Sequence, residues 1–284
     1  MMRKRPLLTI AVANFHTWLQ SSRVLSMIGC MVFYCLMQAV VDHSNYALEG
    51  EKTLLFNVPE LLFLKLYSSF FTMGSLLFLV MVSEIPLRYA FQNFMLVRTS
   101  RIKWTLAQVL HSAAAVCFAM GILCLCFSLF ATFYASPTSG FSENALVELG
   151  IVTEDYTIIP LYIRRLGSPV LACLIALLPM FCFWFSMLLL ILFLGLWNKP
   201  LLGPVLFGGL LLFSSTFMVE ALPSWIPYPT DFSSLKAIVS DYEGHEWSRL
   251  TAVLVGYGIF DGIMILLMCI RSRSMDTSCF SIIL

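Results

Sequence analysis

The sequence predicts an all-α, polytopic membrane protein with six transmembrane helices and an amphipathic elbow helix at its N-terminus. Three observations predict this. Six apolar stretches are long enough to cross a bilayer, charge is scarce, and the connecting segments alternate in the sign of the charge they carry. Of 284 residues, 60% are hydrophobic and 12% are charged, and the mean hydropathy is +0.88. A soluble domain carries about 25% charged residues.

About 20 consecutive apolar residues cross the hydrocarbon layer as a helix. Such stretches occupy 24–41, 61–82, 105–134, 169–197, 201–219 and 251–270. A membrane β-barrel needs alternating segments of about ten residues. The runs 188–196 and 263–268 do not alternate, which selects helices. The pieces between spans, at most about 30 residues, are too short for a soluble domain. Residues 1–284 therefore read as one transmembrane domain.

At the N-terminus, Arg3-Lys4-Arg5 precedes the apolar run 7–12, an arrangement similar to a signal peptide. The run is too short for one, and Asn14, His16 and Gln20 interrupt it. At helical spacing, Leu8, Ala11, Phe15, Trp18 and Leu19 fall on one face, and Thr9, His16, Thr17 and Gln20 largely on the other. Pro6 suits a first helical position. The expectation for about 6–20 is an amphipathic helix lying in the headgroup layer. A disordered basic leader is the alternative.

Further along, 135–168 contains Pro137, Gly140 and Gly150, leaving room for a short helix near 142–149. Segment 220–250 opens with Pro223, Pro227 and Pro229, followed by a predicted helix over 231–240 with Asp231 as its N-cap. Trp225 and Tyr228 suit an interfacial aromatic belt. The two halves differ in loop length, unlike an inverted-repeat transporter.

Charge sets the expected orientation. Arg3, Lys4, Arg5, Arg23, Arg88, Arg98, Arg101, Lys103, Lys199, Arg271 and Arg273 share one side, with Glu84 and Asp276 its only acids. The other side holds Asp42, Glu49, Glu51, Glu154, Asp155, Asp241, Glu243 and Glu246, among others. Basic loops stay in the cytoplasm, so both termini are expected there, in a multi-pass plasma (inner) membrane protein. The net charge of +1 hides this asymmetry and gives no support for a nucleic-acid partner. Eight of the nine cysteines lie in spans and Cys279 in the tail, which leaves no external disulfide framework. Cys124-x-Cys126 reads as packing residues.

Motif chemistry is sparse. The sequence has no G-x-x-x-x-G-K-[ST] loop, no H-E-x-x-H and no G-x-S-x-G. His16, His43, His111 and His245 are scattered, a poor basis for a metal site. Asp261 is the one carboxylate deep in a span, where an acid is costly. It reads either as a structural, hydrogen-bonded acid or as a proton- or substrate-coupling group. His111 reads as a packing or interfacial residue, with a place on a substrate path as its functional alternative. Gly258-x-x-x-Gly262 allows close helix approach, and internal packing is the expected use. Gly203, Pro204, Gly208 and Gly209 thin one side of the fifth span.

The connection 83–104 is long for a turn between spans. It combines Arg88, Arg98, Arg101 and Lys103 with Phe91, Phe94, Met95 and Leu96. Pro86 suits a helix start, and Phe91, Met95 and Arg98 follow at helical spacing. A basic, apolar helix at the membrane face suits docking of a soluble partner; fixing topology alone is the other use of such charges.

With these parts, the layout resembles the membrane subunit of ATP-binding-cassette exporters of the type-2 permease class. The stretch Leu96-Val97-Arg98-Thr99-Ser100-Arg101-Ile102-Lys103-Trp104-x-x-x-Gln108 is similar to the basic, Trp-containing start of the third span in bacterial members. Phe232-Ser233-Ser234-Leu235 is similar to their external segment. The likeness covers nearly the whole chain in layout, through short motifs. It implies an elbow over 6–20 and coupling to a separate ATPase through Arg88, Phe91, Phe94, Arg98, Arg101 and Lys103. It also implies a second permease copy or paralogue, paired through the first and fifth spans. No catalytic residue or cofactor is expected in this chain; ATP and Mg belong to the ATPase. The 24 Phe and 15 Met suit an apolar, adaptable path for an amphipathic or hydrophobic cargo (peptide, lipid or drug), and equally suit lipid-facing bulk. Two rival readings are a proton-coupled secondary transporter that uses Asp261, and a non-transporting immunity or assembly factor.

Overall fold

A computed structural model describes residues 7–46, 57–67, 70–83, 100–137, 168–197, 199, 201–215 and 246–274. These residues are helical apart from short turns and helix-flanking positions, with no strand among them. The helices are α1 (Leu7–Leu19), α2 (Ser22–Tyr46), α3 (Val58–Tyr67), α4 (Ser75–Val82), α5 (Arg101–Ala131), α6 (Pro169–Leu196), α7 (Leu202–Ser215) and α8 (Glu246–Ser274). A π-helical turn, Phe70–Gly74, leads into α4. The expected helices near 142–149 and 231–240, and residues 84–99, lie outside the described residues.

Four helices are long and apolar enough to cross a membrane: Ser22–Ser44 within α2, α5, α6, and Val253–Arg273 within α8. The second apolar stretch differs from a plain spanning helix, because the π-helical turn interrupts its pattern. There the Ser75 hydroxyl bonds to the Phe71 carbonyl and accepts the indole N–H of Trp184 at 2.7 Å. Over its described length, α7 rises about 21 Å, less than the hydrocarbon thickness of about 30 Å.

Neighbours fix the directions. Cys35 Sγ donates to the Leu123 carbonyl, and His43 stacks on Tyr134 at 4.4 Å, so α2 runs parallel to α5. Cys173 donates to the Pro59 carbonyl near the start of α6, and Phe78 stacks on Trp184 at 4.4 Å farther along it. The α3–α4 segment therefore runs parallel to α6. α7 returns against α6, and α8 follows α6 again, joined at Ser186–Asp261. This up-and-down order gathers Arg23, Arg101, Lys103, Lys199, Arg271 and Arg273 at one end. Asp42, Glu60 and Lys65 sit at the other.

Helices α5 and α6 form the centre. An aromatic chain from Tyr34 through Phe70 to Phe127 ties α2 to α5 across the π-helical turn. Another, from Phe71 through Phe183 to Phe207, ties that turn to α6 and α7. Lipid is as apolar as leucine, so close packing rather than water exclusion holds such helices together. Two glycines permit it. A Cβ at Gly74 meets Leu123 Cδ1 at 3.1 Å, and one at Gly203 meets the Ile191 Cα at 2.7 Å.

Candidate functional site

Two regions carry polar groups in an apolar bundle. The first is the basic end. Helix α1 packs lengthwise on the first half of α5. Ile10, Ala11 and Ala107 form one buried cluster. Farther along, Phe15 and Trp18 surround His111 at centroid distances of 6.0 and 5.6 Å, and both rings also meet Phe118. The buried face of α1 is Ile10, Ala11, Asn14 and Trp18. The expected face holds at Ala11, Phe15, Trp18 and Leu19, which are buried or packed against the core, and fails at Leu8, which is exposed; Asn14 is buried beside them. The departure at Leu8 reflects the direction from which α5 approaches.

Trp18 donates its indole N–H to the Met81 carbonyl at 3.4 Å. Arg23 donates to Ser83 Oγ at 3.0 Å. Met81 and Ser83 end the second apolar stretch, immediately before residues 84–99. On the far side of that segment, Arg101 donates to the Arg273 carbonyl at 3.3 Å, joining the start of α5 to the end of α8. Lys103 is exposed. Arg271 lies 5.0 Å over the Trp197 ring, which attaches the same end of α8 to the α6–α7 turn. Of the proposed coupling residues, Arg101 and Lys103 thus meet at this end, while Arg88, Phe91, Phe94 and Arg98 lie outside the described residues.

His111 is fully buried, and neither ring nitrogen finds a hydrogen-bond partner among the described residues. The same holds for both amide atoms of Gln108, one turn earlier. Gln108 borders a narrow crevice with Trp104, Thr105, Leu192, Leu196 and Met268, where α5, α6 and α8 meet.

The second region is midway along α8. Asp261 accepts a hydrogen bond from the fully buried Ser186 at 2.5 Å. Gly258 and Gly262 flank it, and a Cβ at either meets nothing within 4 Å. They make no close internal packing with a described helix, in contrast to the expectation from their spacing. The reason is that α8 turns Val253, Tyr257, Met264 and Met268 into the bundle instead. His111 and Asp261 therefore occupy separate environments.

Sequence reasoning missed Ser186 as the partner of Asp261 and Trp18 as the link to α4. A usable signal for Ser186 was Cys182-x-x-x-Ser186, small polar side chains one turn apart in an otherwise apolar helix. The eight described cysteines are all free thiols. No group of three His, Cys, Asp or Glu side chains suited to a metal occurs among the described residues. No protein-family model, curated protein or solved structure matches the chain.

Proposed function

We propose that this chain is the permease subunit of an ATP-driven exporter, working with a separate ATP-binding-cassette ATPase and a second permease copy or paralogue. In this reading all six apolar stretches span the plasma (inner) membrane, both termini are cytoplasmic, and α1 is the elbow. The cargo is an amphipathic or hydrophobic molecule.

One observation carries the proposal. Helix α1 holds both flanks of the basic 84–99 connection, through Trp18 on Met81 before it and through α5 after it, and Arg23 at the start of α2 adds a bond to Ser83. A partner that pushes on this connection acts on α1, α4 and α5 together. The Arg101–Arg273 bond carries the displacement to α8. Packed helices move as rigid bodies, so binding energy released at the ATPase can shift the bundle between inward- and outward-facing arrangements. ATP and Mg are held by the partner, and this chain supplies the lever.

The test is purification from the native membrane in mild detergent. A stoichiometric P-loop ATPase whose hydrolysis depends on this chain is expected. Charge reversal at Arg101 and Lys103 should weaken that coupling and leave the bundle folded. No ATPase at any yield, or coupling unchanged by the reversal, refutes the proposal. A second reading, proton-coupled transport, is favoured by the Ser186–Asp261 bond. Full transport by Asp261→Asn refutes it.

A further inference from the structure

We infer that Asp261, Ser186 and the flanking glycines form an intramembrane site for the cationic group of an amphipathic molecule. The role of that molecule as cargo rests on the permease reading; its binding does not.

The argument starts from charge. Asp261 is the ninth residue of the apolar segment Val253–Arg273. An ionised carboxylate at such depth is costly unless a cation or several donors meet it. Ser186 contributes one hydrogen bond, while a carboxylate has about four acceptor positions. No cationic side chain pairs with it among the described residues; Lys65, which pairs with Asp42, lies at the other end of the bundle. The site therefore has a carboxyl group, one orienting donor, and no counter-charge among the described residues, so a bound cation would favour its ionised form.

Shape supplies the second observation. Asp261 stands at the margin of the buried face of α8, one turn from Tyr257. Gly258 and Gly262 are exposed, and the space beside their α-carbons is open to 4 Å. A larger residue at Gly258, one turn before Asp261 on the same helix face, would crowd the carboxylate from the outer side. Around this notch, Val255, Ile259, Ile263 and Leu266 are exposed and apolar. A cation with an apolar body fits both parts: its charge meets Asp261 while its body lies along α8. A glycine pair alone would serve equally for a second helix. The uncompensated carboxylate beside it favours a cation instead.

The probe is tetraphenylphosphonium, a permanently charged apolar cation, with triphenylphosphine oxide as a neutral control of similar bulk. Binding to the full-length chain in phosphatidylcholine nanodiscs is measured by equilibrium dialysis at neutral pH. The wild type should bind the cation saturably and in preference to the neutral control. Asp261→Asn should weaken cation binding by about tenfold or more, and leave the neutral probe unchanged. Asp261→Glu should restore part of the loss. Gly258→Leu should reduce cation binding with the charge intact, because position 258 shares the helix face of Asp261 and a Cβ there meets nothing within 4 Å.

Unchanged cation binding in Asp261→Asn overturns the inference, as does equal loss of both probes. So does failure of the wild type to bind the cation. Disulfide cross-linking of Gly262→Cys between copies in native membranes also overturns it, since a second copy would then cover the notch. Co-purification of the ATPase with Asp261→Asn is scored separately. Its absence from wild type counts against the permease reading alone, whereas loss of cation binding is read on the chain by itself.

Discussion

Replacing Gly203 by alanine should force α6 and α7 apart. The added Cβ would stand 2.7 Å from the Ile191 Cα, 3.0 Å from its Cγ1 and 3.2 Å from its Cβ. The nearest of these is backbone, so no rotamer change relieves the contact. An ordinary carbon contact begins near 3.4 Å, and restoring it requires a separation of about 0.7 Å. That shift also loosens Phe183 against Phe207, whose centroids lie 5.6 Å apart, and Leu79 against Gly208. Overpacking of this kind costs about 1–3 kcal/mol. Each kcal/mol corresponds to roughly 2–4 °C in unfolding midpoint for chains of this size. The assay is thermal unfolding of the purified protein in one detergent at one scan rate, because membrane proteins commonly unfold irreversibly. Gly209→Ala is the internal control, since a Cβ there meets nothing within 4 Å. A midpoint for Gly203→Ala equal to that of Gly209→Ala would refute the close approach of α6 and α7.

Two further perturbations test the polar groups inside the bundle. His111→Phe keeps the ring among Phe15, Trp18 and Phe118 and removes two buried nitrogens without partners; it should stabilise the chain by about 1–3 kcal/mol, and a lower unfolding midpoint would contradict the packing described. Lys65→Met removes the ammonium 2.6 Å from the buried Asp42 carboxylate and should cost about 3–5 kcal/mol; the double variant Lys65→Met, Asp42→Leu should recover most of it, and equal unfolding midpoints for the single and double variants would show that the buried charge was not the cause.

Of the coupling residues read from sequence, the structure gathers Arg101 and Lys103 at the basic end with Arg23 and Arg273. Segment charge was visible in the sequence because topology is recorded in the loops themselves. Asp261 stood out for the same local reason: one acid in an apolar run. Its partner Ser186 did not, because 75 residues separate them and nothing in either segment encodes the pairing. The face of α1 departs from the expected one at Leu8 for a different reason. In a membrane, an apolar side chain is equally at home against lipid or against a helix, so hydropathy does not tell which face turns inward.

Apolar length, a local property, determined the helical class; of the six spans it predicted, four are helices long and apolar enough to cross a membrane among the described residues. Tertiary structure decided everything that depends on contact between helices. It placed the π-helical turn where Ser75 meets Trp184, set α1 on α5 through Trp18, and turned Gly258 and Gly262 outward while Gly203 went inward. The physical reason is that packing in lipid is selected by shape and by the few polar groups that must find partners, and both become defined only when distant helices meet.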